Sequence, residues 1–249
     1  MATASYEGRT GDELARQLGL PRVDVFEAVT STMDLAHELA AAGSPAGTLV
    51  LADAQRSGRG RAGRRWTSEP GAGLWMTLVE RPNDPSALDV LSLRIGLGVA
   101  RVLDRFATAP VGLKWPNDLY LLGGKLGGIL VESRWRNTRP DWVAIGVGIN
   151  VRRPADVPQA AGLGERVSRL EVLGELIPAI RAAAQARGRL TPREVAAFAE
   201  RDVAAGRTCR EPRAGRVAGI ADDGSLLVVT AGGTVRCREG SLLLDEEVP

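Results

Sequence analysis

Two lysines and one run of arginines are where this sequence could do chemistry. Lys114 and Lys125 are the only lysines among 32 Lys+Arg, so arginine supplies 32 − 2 = 30 of the cations. A codon bias toward arginine explains the excess, but not why both lysines fall in one short stretch. An ammonium is a compact point charge with three rotatable donors, which a guanidinium cannot imitate at a tight site. Lys114 opens Lys114-Trp-Pro-Asn-Asp118. A lysine, a turn and a carboxylate side by side suit phosphate and Mg²⁺, with Asn117 and Asp118 to position the metal. Taken alone, Pro-Asn-Asp is also an ordinary turn. Lys125 follows Gly123-Gly124 and precedes Gly127-Gly128. This is not a P-loop, because Leu119 and Leu126 stand where Gly-x-x-x-x-Gly-Lys-[Ser/Thr] needs Gly and Ser/Thr.

The second concentration is Gln55–Trp66, QRSGRGRAGRRW, with five arginines and three glycines in twelve residues. Glycine lets a backbone approach a ligand closely, and arginine forks match carboxylate and phosphate oxygens in pairs. Together they describe a loop that folds over an anionic ligand and orders on binding. A solvated loop and an RGG-like nucleic-acid segment share this composition. The run occurs once, between two expected buried strands, which speaks against the second. Gly146-Val-Gly148-Ile-Asn150 holds a GxG but lacks the third glycine and the acidic residue of a dinucleotide fingerprint. His37 is the only histidine and falls on an expected helix as an ordinary residue, so Ser-His-Asp catalysis and histidine metal sites are set aside. Cys209 and Cys237 read as reduced packing residues.

These residues need elements to hold them. Residues 1–25 read as polar apart from a short amphipathic helix, Asp12 to Leu20. Ser31 or Thr32 caps a helix running to Gly43, with Asp34 in its first turn. Residues 47–54 and 74–79 read as buried strands on either side of the arginine loop. Apolar spacing of three and four predicts one helix over 87–106. Turn signals at Asn117-Asp118 and Gly123-Gly124 divide the next stretch into a three-stranded meander, and 142–151 is a further strand. Residues 152–166 form a long Pro/Gly/Ala loop. Helices follow at about 168–187 and 192–205, the second with a Thr191/Glu194 capping box. After Gly206, short strands at 216–220, 225–230, 234–238 and 242–244 suit a small β-barrel of SH3-like size. A boundary near residue 205 follows, giving domains 1–205 and 206–249.

Composition limits the rest. The chain has 249 residues, is 44% hydrophobic and carries a formal charge of +2, which excludes disorder and nucleic-acid binding across the whole surface. Its 30 glycines have no period of three, excluding collagen. It holds no apolar run of the roughly 18 residues that a membrane helix requires. Its first residues lack the basic start and apolar core of a secretory signal, so the expected location is the cytoplasm.

Ser31-Thr32, the Gly58–Trp66 loop, Lys114–Asp118 through Lys125-Leu-Gly-Gly-Ile-Leu-Val-Glu132, and Gly146–Asn150 stand in an order that resembles the biotin–protein ligases. The likeness covers residues 26–151 closely, and the arginine–glycine loop combined with Lys-Trp-Pro-Asn-Asp is its most specific part. It implies an α+β fold: an SH2-like mixed-sheet catalytic domain with flanking helices, then a small SH3-like β-barrel. It also implies a two-step reaction. The biotin carboxylate attacks the α-phosphate of MgATP, giving biotinyl-5′-AMP and pyrophosphate. A lysine of a biotin carboxyl carrier domain of acetyl-CoA or acyl-CoA carboxylase then takes the biotin and releases AMP.

By the same resemblance Lys125 and Arg61 are the catalytic residues. Ser31, Thr32, Gln55, Gly58, Arg59, Gly60, Arg61, Lys125, Gly127 and Gly128 contact biotin. Trp66, Lys114, Asn117 and Asn150 line the nucleotide, and Asp118 is the candidate for Mg²⁺. Met33 stands where the family often has Asn, which leaves only a backbone contact there. The first matching motif begins at Ser31, after too few residues for a folded winged helix, so the expectation is an enzyme that binds neither DNA nor membrane. The rivals are a lipoate or octanoate ligase of the same superfamily, an arginine-loop nucleic-acid module, and a catalytically dead biotin sensor.

Overall fold

The structure, a computed structural model, describes residues 5–82 and 84–245. Residues 1–4, the start of the segment read as lacking a secretory signal, and 246–249, the end of the expected second domain, lie outside the described residues. Thr10 caps helix α1 (Gly11–Leu18) in a reciprocal box with Glu13, and Gly19 closes it in the left-handed region at φ 63°. After Pro21 comes a strand the sequence reading missed, β1 (Arg22–Val29). Among the described residues it is an edge strand, paired in parallel with β2 (Thr48–Gln55) alone, from Arg22 opposite Thr48 to Val29 opposite Gln55. Edge strands keep polar side chains in water, which hid this one among polar neighbours.

Helix α2 (Thr32–Ala41) connects β1 to β2. The arginine–glycine segment holds a small hairpin, β3 (Gly58–Arg59) with β4 (Arg65–Trp66), around a 3₁₀ turn at Arg61–Gly63. Strand β5 (Gly73–Glu80) is buried along its whole length. The single helix expected over 87–106 is instead a 3₁₀ turn, Pro85–Val90, followed by α3 (Leu91–Leu103). Asp84 caps that turn by accepting from Ser86 N, and Pro85 takes its first position. The meander is β6 (Gly112–Lys114), β7 (Asp118–Leu121) and β8 (Gly124–Arg136), and β9 (Arg139–Asn150) completes the large sheet. Helix α4 spans Arg169–Gln185. Helix α5 spans only Pro192–Ala199 rather than 192–205. Its expected last turns are pulled out of helix because Arg201 O accepts from Leu113 N and Val203 N donates to Leu113 O.

The seven-stranded sheet runs β1-β2-β5-β9-β8-β7-β6, and every pair after the first is antiparallel. Helix α2 packs on one face against Val50, Val79 and Ala144. Helices α3 and α4 pack on the other, with Leu49, Leu51, Leu78, Val143 and Ile145 in the main core. An antiparallel sheet follows, built from β10 (Thr208–Glu211), β11 (Gly215–Ile220), β12 (Leu226–Thr230), β13 (Gly233–Cys237) and β14 (Leu243–Leu244) in the order β13-β12-β11-β10-β14. Strand β10 was not expected, being four residues cut off by Pro212. Val217, Leu226, Val228 and Leu244 belong to the same continuous core as the large sheet.

Candidate functional site

The α2 face of the sheet carries a pocket whose chemistry changes from end to end. Ser31 caps α2, its hydroxyl accepting from Met33 N at 3.2 Å, and the helix start delivers Thr32 inward. Thr32 N and Oγ1 both donate to Gln55 Oε1, at 2.9 and 3.1 Å, and Thr32 Oγ1 lies 2.9 Å from Thr77 Oγ1. Gln55 Nε2 donates to Ser68 Oγ at 2.8 Å. This inner end is therefore neutral and rich in donors and acceptors. Met33, Met76, Ile129, Leu130 and Val147 add apolar walls, and Arg59, Arg61, Arg64, Arg65 and Lys125 supply cations. The pocket opens to solvent at its mouth, and its cavity volume is about 120 Å³.

Two glycines shape the floor. A Cβ at Gly148 would stand 2.7 Å from Trp66 Nε1, and one at Gly146 would stand 2.8 Å from Met33 Cε. Bare backbone is what lets the indole and the thioether lie down on β9. Trp66 divides this pocket from a second one, lined by Arg65, Trp66, Thr67, Lys125, Asn150, Pro154, Val157 and Ala160. The buried Trp66 Nε1 has no hydrogen-bond partner among the described residues.

Lys125 reaches both pockets. Its Nζ lies 2.8 Å from Asp118 Oδ1 and 5.5 Å from the centre of a Trp66 ring. Its backbone is gripped on both sides: Lys125 N donates to Gln159 O at 2.8 Å, and Lys125 O accepts from Ala161 N at 2.9 Å. Asn150 Nδ2 donates to Lys125 O and Ala161 O, at 3.3 and 3.1 Å. The long Pro/Gly/Ala loop is thus a clamp on the lysine. Burial pushes the Arg61 guanidinium below its usual range, partly offset by Asp118. Arg61 Nη2 donates to Gly240 O at 3.2 Å, and Arg64 Nη2 to Ser241 Oγ at 3.0 Å.

Ser31, Thr32, Gln55, Arg59, Gly60, Arg61, Trp66, Asn117, Asp118, Lys125 and Gly128 all line the first pocket, and Asn150 lines the second. Asn117 lies there with its amide committed, Nδ2 donating to Ile129 O at 2.7 Å. Gly58 and Gly127 serve close packing beside the site: a Cβ would meet Trp66 O at 2.5 Å and Gly148 O at 2.7 Å respectively. Lys114 lines neither pocket. It is buried 5.6 Å from the Tyr120 ring centre and borders a small cavity with Ser92 and Phe198.

The sequence reading missed Thr77, Gly148 and a network around His37. Thr77 sits in an unbroken buried strand, and the GxG entered as a rejected dinucleotide fingerprint and as a segment of the ligase resemblance, without a role for Gly148 itself. His37, read as an ordinary helix residue, joins Trp142, Glu132 and Arg59, and no local spacing announces a contact spanning more than ninety residues. Among the described residues no group of three or more His, Cys, Asp or Glu could hold a metal. A lone Asp118 fits Mg²⁺ that arrives on nucleotide phosphates.

The Biotin/lipoate A/B protein ligase family matches residues 25–150, just over half of the chain. A bifunctional ligase/repressor of Bacillus subtilis is 37% identical over 162 residues, covering 61% of this chain and 50% of its own length. A biotin–[acetyl-CoA-carboxylase] ligase of Mycobacterium tuberculosis is 36% identical over 153 residues, covering 58% and 56%. The chain spans about half the length of these curated relatives. The biotin protein ligase from Aquifex aeolicus, solved with biotin and ATP, superposes with a TM-score of 0.75 at 26% identity, covering 90% of this chain and 99% of that one. With its mixed sheet, helix-capped pocket and second antiparallel sheet, this chain belongs to the biotin/lipoate A/B protein ligase family.

Proposed function

We propose that the chain is an ATP-dependent biotin–protein ligase. The observation that carries this reading is the pocket's gradient. A neutral hydrogen-bonding end at Ser31, Thr32, Gln55 and Thr77 gives way to apolar walls and a cationic mouth at Arg59, Arg61 and Lys125. Biotin has the same order: a ureido ring, a thioether ring with an alkyl tail, and a carboxylate. The second pocket shares Trp66 and Lys125 with the first, where an adenylate bonded to that carboxylate would extend. Octanoate has no polar group for the inner end, and lipoate has only a disulfide, so the gradient favours biotin.

Two anions must meet for the first step. Lys125 and Arg61, held at the junction, lower their repulsion and stabilise the charge that develops as the carboxylate oxygen attacks phosphorus and pyrophosphate leaves. Magnesium held through Asp118 would neutralise phosphate charge. The arginine–glycine hairpin covers the mixed anhydride against water. The acceptor is the lysine of a biotin carboxyl carrier domain, in keeping with the carboxylase ligase among the relatives. Residues 1–205 hold the reacting groups, and 206–249 contribute the contacts to Arg61 and Arg64. Among the described residues no helix is long and apolar enough to cross a membrane.

The test is exchange of labelled pyrophosphate into ATP with biotin, lipoate and octanoate in parallel. Exchange with biotin alone supports the reading. Exchange with lipoate or octanoate keeps the chemistry and moves the substrate, and none with any acid overturns it.

A further inference from the structure

A directed chain of hydrogen bonds runs from behind the pocket to its rim. Trp142 Nε1 on β9 donates to His37 Nδ1 at 3.0 Å. His37 Nε2 lies 3.0 Å from Glu132 Oε2 on β8. Glu132 Oε1 accepts from Arg59 Nη2, and Arg59 Nη1 donates to Asp34 Oδ1 at 2.8 Å. An indole N–H only donates, so His37 Nδ1 carries no hydrogen and Nε2 must carry one. Glu132 therefore has one oxygen fixed from behind and the other facing Arg59. The inner members are the better buried, with side chains 12% exposed for His37 and 20% for Glu132, against 40% for Arg59 and 47% for Asp34. The β3–β4 hairpin that carries Arg59 pairs with no strand of the large sheet.

Resting on the biotin reading above, we propose that Glu132, oriented by His37 and Trp142, is a positioning residue for Arg59 and the arginine–glycine hairpin. It touches neither pocket's ligand space in its own right; it sets the guanidinium at the rim before the anion arrives. A side chain already held in place loses less rotamer freedom on binding, so the effect belongs to substrate binding rather than to the chemical step. The exposed Asp34 pair contributes less. Protonating His37 would convert Nδ1 into a donor facing the Trp142 N–H and break the chain at its root. The charged groups facing His37 are Glu132 and Arg134 on β8 and Arg59 on β3.

The test pairs a ligand-free readout with kinetics. Trypsin cuts after arginine, and Arg56, Arg61, Arg64 and Arg65 remain even in R59A. In the full chain without ligand, Glu132→Ala should be cleaved several-fold faster within 56–65 while its melting temperature stays near wild type. In biotin-dependent pyrophosphate exchange the same variant should raise KM for biotin roughly tenfold, the scale of a lost hydrogen bond to a charged group, with kcat nearly unchanged. D34A should raise it less than threefold or so. In an R59A background, Glu132→Ala should add nothing further to KM, since both act through one guanidinium. Unchanged cleavage and KM in Glu132→Ala, or additive effects with R59A, overturn the proposal. Absence of biotin-dependent exchange in the wild type would remove the biotin reading alone, because the cleavage assay contains no substrate and still decides the tether.

Discussion

At the scale of single residues, the site turns on which cation is asked to do what. Lys125 Nζ pairs with Asp118, and its side chain remains 34% exposed. A pair so open to solvent is worth little to stability, while in the proposed reaction the same ammonium stands where two anions would meet and would be worth much to the transition state. Lys125→Ala should thus cut biotin-dependent exchange by about 10²-fold or more and move the melting temperature by only a few degrees. Lys125→Arg should not restore activity, because a planar fork does not reproduce a point charge. Pyrophosphate exchange beside thermal melts of the three proteins checks both halves. His37 yields a prediction in pH. Burial pushes its imidazole below the ordinary 6.5, with the Glu132 hydrogen bond opposing. A histidine held neutral contributes stability that is present in full above pH 6.5 and is lost as pH falls through its depressed value. Relative to His37→Gln, the wild type should lose melting temperature below pH 6.5, and its KM for biotin should climb over the same range. Parallel curves for both proteins at all pH values would exclude a neutral His37 as a support.

At the scale of elements, strand β9 matters for what it lacks. Gly146 and Gly148 fall on the face that looks toward α2 and the hairpin, two residues apart, as strand alternation requires. Their neighbours differ in how far they can give way. A Cβ at Gly148 meets the rigid indole of Trp66 at 2.7 Å, whereas one at Gly146 meets the mobile end of Met33 at 2.8 Å. Gly148→Ala should displace the wall between the two pockets and weaken both substrates at least tenfold, a cost of ~1.4 kcal/mol or more typical of overpacking. Gly146→Ala should be tolerated within a few-fold. Titration of biotin and ATP against each variant separates the two cases. These positions also show what a sequence discloses. The motifs around Lys125, Arg61 and Thr32 were legible because their chemistry is local: rare lysines, a glycine–arginine run, a serine cap. The buried strands and the capping box of α5 were legible for the same reason. Edge strand β1 was not, because only two of its eight residues are buried, and the end of α5 was not, because a distant Leu113 backbone captures it. Thr77, Glu132 and Trp142 join the site only through sheet pairing.

At the scale of the whole molecule, the two sheets are separate in topology but share one core. The smaller sheet begins at Thr208, yet Val217, Leu226, Val228 and Leu244 are buried in the core that also holds α3 and the large sheet. Trp115 Nε1, in the turn that presents Asn117 and Asp118, donates to Gly224 O at 2.9 Å. Arg61 and Arg64 reach Gly240 and Ser241 from the other side of the site. Turns of the segment after Thr208 thus touch both the turn that carries Asn117 and Asp118 and the arginine–glycine hairpin. Two consequences follow. The full chain should unfold in a single calorimetric transition, since no seam in the core lets one sheet melt alone. A chain ending at residue 205 should expose the apolar partners of four buried side chains and leave the Trp115 indole without its acceptor, at a cost comparable to the whole stability of a domain this size. It should therefore express as an aggregated or molten product, without exchange activity. A soluble 1–205 fragment that melts cooperatively would show that the large sheet has a self-sufficient core, and the role of residues 206–249 would then narrow to their contacts with the arginine hairpin.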